Sequence, residues 1–470
     1  MNGKYYLFKN LGLLTISQFG TKMLSFFLVP LYTYVLTTEE YGIYDLNTTT
    51  VALLLPILTL NISDAALRFP MDKDSDRREI FIISIRYFWL STIIVSCGII
   101  LNVLFKVFNV LNQYPVFFVL LFSLSTLDAI LVNFSRGIDR VKDVAISGVL
   151  CSAVMITLNI VFLLPLHLGL PGYFMANIIG IAVQCIFLLF SIRFWKYFSA
   201  ERSLDKKLNK AMVVYSRPLL INNISWWVSS ASDRYVVTLL CGVSANGIYS
   251  VGYKIPSILN IFQTIFGQAW TISAVKEFDP KDENRFFTSM YNAYNFSMTL
   301  ICSMLIIFAK IMAHFLYAKD FYEAWKYVPF LLIAIVFGAL SGYIGGIFAA
   351  VKDTKVFARS SIIGATLNII LNILLVKSMG ALGAAISTAV SYIVIWAVRI
   401  WEVKKYISLH LNVMRDLVVY SILLIQSLLL FICSDTLVLY SIQIVFLGVI
   451  LCCFSYEIKS VIEKVKEKMR

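Results

Sequence analysis

The feature that most limits what this chain can become is a succession of apolar stretches, each of about twenty residues, separated by short polar connectors. A helix of roughly 20 mostly apolar residues crosses about 30 Å of hydrocarbon, and it satisfies every backbone N–H and C=O internally where no water is present. By that criterion the sequence predicts an all-α integral membrane protein with about fourteen transmembrane helices. They fall near residues 10–36, 43–68, 80–105, 114–135, 144–166, 171–194, 212–240, 246–275, 288–316, 328–350, 357–377, 381–402, 416–433 and 437–456. A content of 59% hydrophobic and 14% charged residues excludes a soluble globular domain. The first stretch is long and lacks a small-residue cleavage pattern, so it is expected to remain as a span rather than act as a signal peptide.

The 40 Lys+Arg outnumber the 27 Asp+Glu, which by itself invites a nucleic-acid reading. Position argues against it. With the N-terminus inside, the outer loops hold only Lys106, Lys319, Lys326 and Lys377, and Lys22, Arg68, Arg86, Arg217, Arg234, Lys254 and Lys310 fall within spans or at their ends. The rest lie on the cytoplasmic side, the bias expected of membrane topology, so both termini are expected to be cytoplasmic and no nucleic-acid partner is needed.

The chain also repeats itself. A shift of 205 residues lays Gly42-Ile43-Tyr44 on Gly247-Ile248-Tyr249, and offsets of 209 to 211 lay Val141-Lys142-Asp143 on Val351-Lys352-Asp353 and Thr157-Leu158-Asn159 on Thr366-Leu367-Asn368. Six spans per half make the repeats parallel, and repeats with a binding site at their interface mark alternating-access transporters. The expected organisation is a six-helix bundle over 1–195, a basic linker over 196–211, a second six-helix bundle over 212–405, and an added two-helix hairpin with a basic tail over 406–470.

Residues Asn10 to Leu46, ending Thr38-Glu39-Glu40-Tyr41-Gly42-Ile43-Tyr44-Asp45, resemble the opening of Wzx-type polysaccharide flippases. Ser230-Ala231-Ser232-Asp233-Arg234-Tyr235, Ala245-Asn246-Gly247-Ile248-Tyr249-Ser250 and the stretch from Arg136-Gly137 to Asn159 fit the same family. The resemblance covers nearly the whole chain. It implies the multidrug/oligosaccharidyl-lipid/polysaccharide exporter superfamily and a V-shaped, MATE-like pair of bundles in the bacterial cytoplasmic membrane. The implied cargo is an oligosaccharide on undecaprenyl diphosphate, moved to the outer leaflet and passed to polymerase and chain-length machinery.

Charges inside spans are costly, so they are expected to face the bundle interior or a water-filled cavity. Lys22 lies about 18 Å into its span, too deep to reach the interface easily. With Arg86, Arg234 and Lys254 it is expected to form a cationic surface for a diphosphate; the competing reading pairs these cations with Asp45, Asp64, Asp128 and Asp233. Gln18 shares the Lys22 face, and Asn222, Trp226, Ser229 and Asp233 share another at spacings of four, three and four. Asn222, Asn223, Trp226, Trp227, Gln263 and Gln268 are candidate sugar-contact or cavity-lining residues, or else packing residues. Asp45 and Asp233 are candidates for ion coupling, or for structural pairing. Adjacent helix positions lie about 100° apart, so Asp233 and Arg234 are not expected to pair with each other. Arg68, Arg217 and Lys310 read as span-end residues that snorkel. Pro256 is expected to break its span, with Pro30 and Pro56 candidates for the same.

The sequence offers no cofactor or metal site. Its eight cysteines lack paired C-x-x-C spacing, its three histidines are far apart, and Asp72-Lys73-Asp74-Ser75-Asp76 lacks the glycine and distal glutamate of a calcium loop. No G-x-x-x-x-G-K-[ST] loop is present for ATP. A membrane glycosyltransferase or polymerase would call for a long outer loop, which this chain lacks. A multidrug or cation exporter would favour carboxylates, whereas basic residues outnumber acidic ones in the spans. A lipid II or spore-wall flippase stays open.

Overall fold

The computed structural model describes residues 26–72, 75–197, 205–351 and 353–459, and every element named below lies within them. Their contacts divide into two compact units, one ending at Ala231 and the other beginning at Ser232.

The first unit contains α1 (Val29–Val35), α2 (Thr38–Leu58), α3 (Ile62–Arg68), α4 (Arg77–Phe105), α5 (Pro115–Gly137), α6 (Val141–Leu163), α7 (Gly169–Ile192) and the first part of α8 (Lys206–Cys241). Local chemistry sets the starts. The Thr37 hydroxyl accepts from Glu40 N at 3.2 Å while the Glu40 carboxylate accepts from Thr37 N at 2.8 Å, a reciprocal cap that satisfies two orphan donors of α2. Asp76 caps α4 through Arg78 N and Glu79 N, and Arg68 pairs with Asp72 at 2.6 Å, so these two carboxylates serve helix ends. The span expected over 43–68 is broken: α2 and α3 meet at 65°. Pro56 stands one turn before the break, and Leu60 and Asn61 adopt left-handed conformations there, with φ of 51° and 56°.

The second unit holds the rest of α8, then α9 (Val243–Gly252), α10 (Pro256–Lys276), α11 (Phe286–Leu316), α12 (Val328–Ala350), α13 (Thr354–Met379), α14 (Ala381–Val403), α15 (Val413–Ile432) and α16 (Thr436–Cys453). Pro256 opens α10 and separates it from α9, the expected break. Helix α12 is buried over most of its length, against α10, α11 and α14. The last two helices are tied in by polar contacts: Ser303 of α11 donates to Gln426 of α15 at 2.9 Å, and Gln443 of α16 donates to the Gln426 carbonyl at 2.9 Å. At the other end of α15, Arg415 binds Asp416, Glu457 and Asn292 and lies over the Phe454 ring.

Ten of these helices, α4 to α7 and α11 to α16, are long and apolar enough to cross a membrane, and α2 with α3 makes an eleventh if counted as one bent span. The other spans of the expected fourteen fall on residues 10–36, described only from residue 26, on α8, which carries Arg217, Asn222, Asn223, Asp233 and Arg234, and on the separated α9 and α10. Large apolar side chains such as Phe105, Leu239, Trp401, Ile432 and Leu437 stand more than two-thirds exposed, a surface suited to lipid and not to water. The chain is a multi-span integral membrane protein.

Two consequences can be measured. A Cβ added at Gly137 would sit 2.6 Å from the Leu67 carbonyl oxygen, where α3 crosses α5 backbone to backbone. Gly137→Ala is therefore expected to lower stability by about 1 to 3 kcal/mol, read as a lower melting temperature in detergent. Asp353 caps α13 through Lys355 N at 3.1 Å and accepts from the Tyr406 hydroxyl at 2.5 Å. That hydroxyl holds the Asp353 carboxyl below its ordinary value. A depressed carboxyl contributes stability above its unfolded value, about 3.9, and loses it as pH falls through the lower folded value. Tyr406→Phe should thus melt below wild type at pH 7, with the gap closing as the medium is acidified below about pH 4.

Candidate functional site

Asp233 is the best-defined of the residues singled out from the sequence. It lies on α8 in the second unit, 3% exposed, and α9 brings two tyrosines to it. The Tyr249 and Tyr253 hydroxyls both donate to Asp233 Oδ2, at 2.5 and 2.8 Å, while Oδ1 accepts from Arg234 N at 2.9 Å. The Arg234 guanidinium lies 4.8 Å from the Tyr253 ring centre, and its Nη1 is 4.0 Å from Asp233 Oδ1. The two neighbours therefore do interact, contrary to the expectation from helix geometry. The 100° step separates their Cβ atoms, but the arginine side chain is long enough to fold back.

Why the chain folds so here is visible in the break between α9 and α10. Tyr249 and Tyr253 are four apart and share a face, and the helix stops at Gly252 before Pro256 restarts it. Lys254 falls in this break, next to Tyr253, and Gln263 follows on α10, half-buried. Asn368 and Asn372 of α13 and Thr388 of α14 add a buried polar set to the same unit, Asn372 donating to Asn368 at 2.9 Å and Asn368 to Thr388 at 3.4 Å.

The break in the first unit is polar too. Asn61, at the turn between α2 and α3, donates to Asp64 at 2.7 Å and accepts from Asn223 of α8 at 3.1 Å. Trp227, one turn along α8, donates its indole N–H to the Thr49 carbonyl at 3.0 Å. Asp45 is half-buried on α2, and Arg86 is exposed on α4. Gln18 and Lys22 lie outside the described residues, as do the side chains of Asn222, Trp226 and Gln268. Arg68 pairs with exposed Asp72, Lys310 lies 4.5 Å from the Trp325 ring centre, and Arg217 is exposed.

Sequence reasoning missed Arg399. Its place near the end of a span put it among the cytoplasmic loop charges, yet it is 4% exposed within the second unit. Nε donates to Ser360 Oγ, Nη1 to the Ser341 carbonyl and Nη2 to Ser361 Oγ, each at 2.9 Å, and the guanidinium stacks 4.1 Å from the Phe357 ring centre. All four partners are neutral. Gly345 makes room, since a Cβ there would meet the Phe357 ring at 2.7 Å. The paired serines 360 and 361, one helix before the arginine, are the available signal.

The family model described as polysaccharide biosynthesis protein matches residues 7–272, more than half of the chain, and the MatE model matches residues 218–374. A probable low-salt glycan biosynthesis flippase, Agl15 of Haloferax volcanii, is 23% identical over 227 residues, covering 46% of this chain and 47% of that protein. The chain thus spans about half the length of this curated relative. Among solved structures, the lipid II flippase MurJ in an inward closed conformation superposes with a TM-score of 0.69 at 15% identity, covering 95% of this chain and 99% of that one. An inward-facing multidrug resistance MATE family transporter of the MOP superfamily gives 0.64 at 14% identity, over 83% of this chain and 98% of that one. These likenesses establish the fold. With that fold and a family model spanning residues 7–272, the chain belongs to the polysaccharide biosynthesis protein family.

Proposed function

We propose that this chain is a flippase that carries oligosaccharide repeat units linked to undecaprenyl diphosphate from the cytoplasmic to the outer leaflet of the bacterial cytoplasmic membrane, by alternating access. The observation that carries the reading is an interrupted span in each unit, the α2–α3 break and the α9–α10 break, each lined with polar groups. Discontinuous helices in corresponding positions of two halves point to the substrate site of transporters. The glycan-flippase relative and the MurJ-like fold support the cargo class.

In this account the organisation is two six-helix halves over 1–195 and 212–405, joined by the linker 196–211 and followed by the hairpin 406–470, with both termini cytoplasmic. Lys22, Arg86, Arg234 and Lys254 hold the diphosphate. Gln18, Asn222, Asn223, Trp226, Trp227 and Gln263 face the sugars, and Asp45 and Asp233 serve ion coupling. Polymerase and chain-length proteins receive the product.

Binding of a water-soluble, short-prenyl diphosphate oligosaccharide, followed by tryptophan fluorescence, tests the anchor. Losing one charge-assisted hydrogen bond in Arg234→Ala or Lys254→Ala should weaken binding about 10- to 100-fold. Equal affinity for the same glycolipid without phosphates would contradict a diphosphate anchor. The MatE match over residues 218–374 favours one rival, an exporter of small cations, for which Asp233 would be the attracting carboxylate.

A further inference from the structure

Asp128 occupies an unusual position. It lies near the middle of α5, roughly 20 Å from the start of the helix and about 14 Å from its end. Leu121, Leu131 and Ser135, at spacings of seven, three and seven, share its face, and all three are buried. That face packs toward α7, whose Cys185 thiol donates to the Leu124 carbonyl one turn before Asp128 at 3.8 Å.

Among the described residues the surroundings of the carboxyl are neutral. Cys151 of α6 and Cys185 of α7 are the titratable groups that face it, and α2, α3 and α4, also packed on α5, present it no charged group among the described residues. Two unit-one arginines are engaged elsewhere, Arg140 with Asp143 and Ser191, Arg68 with Asp72. Asp128 Oδ1 is sealed from solvent and has no hydrogen-bond partner among the described residues, although the residue as a whole is only half-buried. The contrast with Asp233 is direct: one carboxylate has two hydroxyl donors and a backbone N–H, the other has none for its buried oxygen.

An ionised carboxylate at this depth costs about 2.5 to 3.5 kcal/mol by insertion scales, and among the described residues no cation or donor to its buried oxygen offsets that cost. We propose that Asp128 is a proton-binding site inside the first unit, held as the neutral acid while its buried oxygen is sealed from water and releasing its proton when water reaches it. In the release step the carboxyl O–H bond breaks, the proton passes to water and the electron pair stays on the carboxylate; uptake reverses it. That this proton couples to transport rests on the flippase reading. The proton site itself does not.

Infrared difference spectra of the whole protein in liposomes, recorded between neutral and alkaline pH, test the site without any cargo. Wild type should show the C=O band of a protonated carboxyl at neutral pH, Asp128→Asn should lose it, and Asp128→Glu should shift it. Identical spectra for wild type and a normally eluting Asp128→Asn would overturn the site. In vesicles, an imposed pH gradient should accelerate lipid transfer by wild type and Asp128→Glu but not by Asp128→Asn. An unchanged gradient response in Asp128→Asn would overturn the coupling role. A wild type that keeps the band yet transfers no lipid would count against the flippase reading and leave the proton site standing.

Discussion

Asp233→Ala is expected to destabilise the second unit by about 3 to 5 kcal/mol, because it strips the acceptor from two buried tyrosine hydroxyls and a backbone N–H at once. Hydrogen bonds to a charged group contribute about 1.5 to 3 kcal/mol each, and buried donors left without an acceptor carry their full desolvation cost. Asp233→Asn loses the charge and turns one of the two accepting oxygens into an NH2 donor, but it keeps the other acceptor, so its loss should be smaller, about 1 to 3 kcal/mol. Tyr249→Phe removes one donor and leaves the carboxylate bound to Tyr253, for a loss of about 1 to 2 kcal/mol. The series is read by thermal unfolding in detergent. A melting temperature for Asp233→Ala at or above that of Asp233→Asn would refute the assignment of Asp233 as the acceptor that organises α8 and α9.

Arg399→Lys should destabilise more than Arg399→Met. The guanidinium is a flat fork that reaches three acceptors on two helices and stacks on Phe357, and a lysine ammonium is a single point that cannot reach all three. Lysine would keep the charge in the same neutral surroundings while giving up most of what holds it there, a loss of about 2 to 4 kcal/mol. Methionine removes the charge along with the bonds, and replacing buried ionic groups by apolar ones of similar volume is often close to neutral. The order of the melting temperatures, wild type and methionine above lysine, is the test. Lysine matching wild type would show that the charge alone matters and the fork does not.

The helices were legible because each carries its own signal. An apolar run of about twenty residues reports a span wherever it lies, and the structure places α4 to α7 and α11 to α16 within a few residues of the ranges read from hydropathy. Pro256 announced its break through the missing N–H, and Pro56 marked the neighbourhood of the other break but not the left-handed pair Leu60 and Asn61 that makes it. The partners within the candidate site were not legible. Tyr249 and Tyr253 stand sixteen and twenty residues beyond Asp233, on and at the end of another helix, and the Tyr249 segment stands out in the sequence only through the repeat and the family resemblance. Arg399 was hidden by the strength of a rule: cations at the ends of spans usually face the cytoplasm, and nothing in its neighbours along the chain distinguishes one turned inward onto Ser341, Ser360 and Ser361. Asp233 and Arg234 show the limit of angular reasoning, which fixes where a side chain starts and not where a long one ends.

The central claim is flipping of a lipid diphosphate, and the direct measurement is transfer of a fluorescent oligosaccharide-diphospho-prenyl lipid across reconstituted vesicles by the wild type, Lys22→Ala and Lys22→Arg. The account predicts saturable transfer by wild type, lost in Lys22→Ala and partly kept in Lys22→Arg. A correctly folded wild type that transfers none of several glycan lipids, and instead drives proton-coupled efflux of small cations, would contradict it.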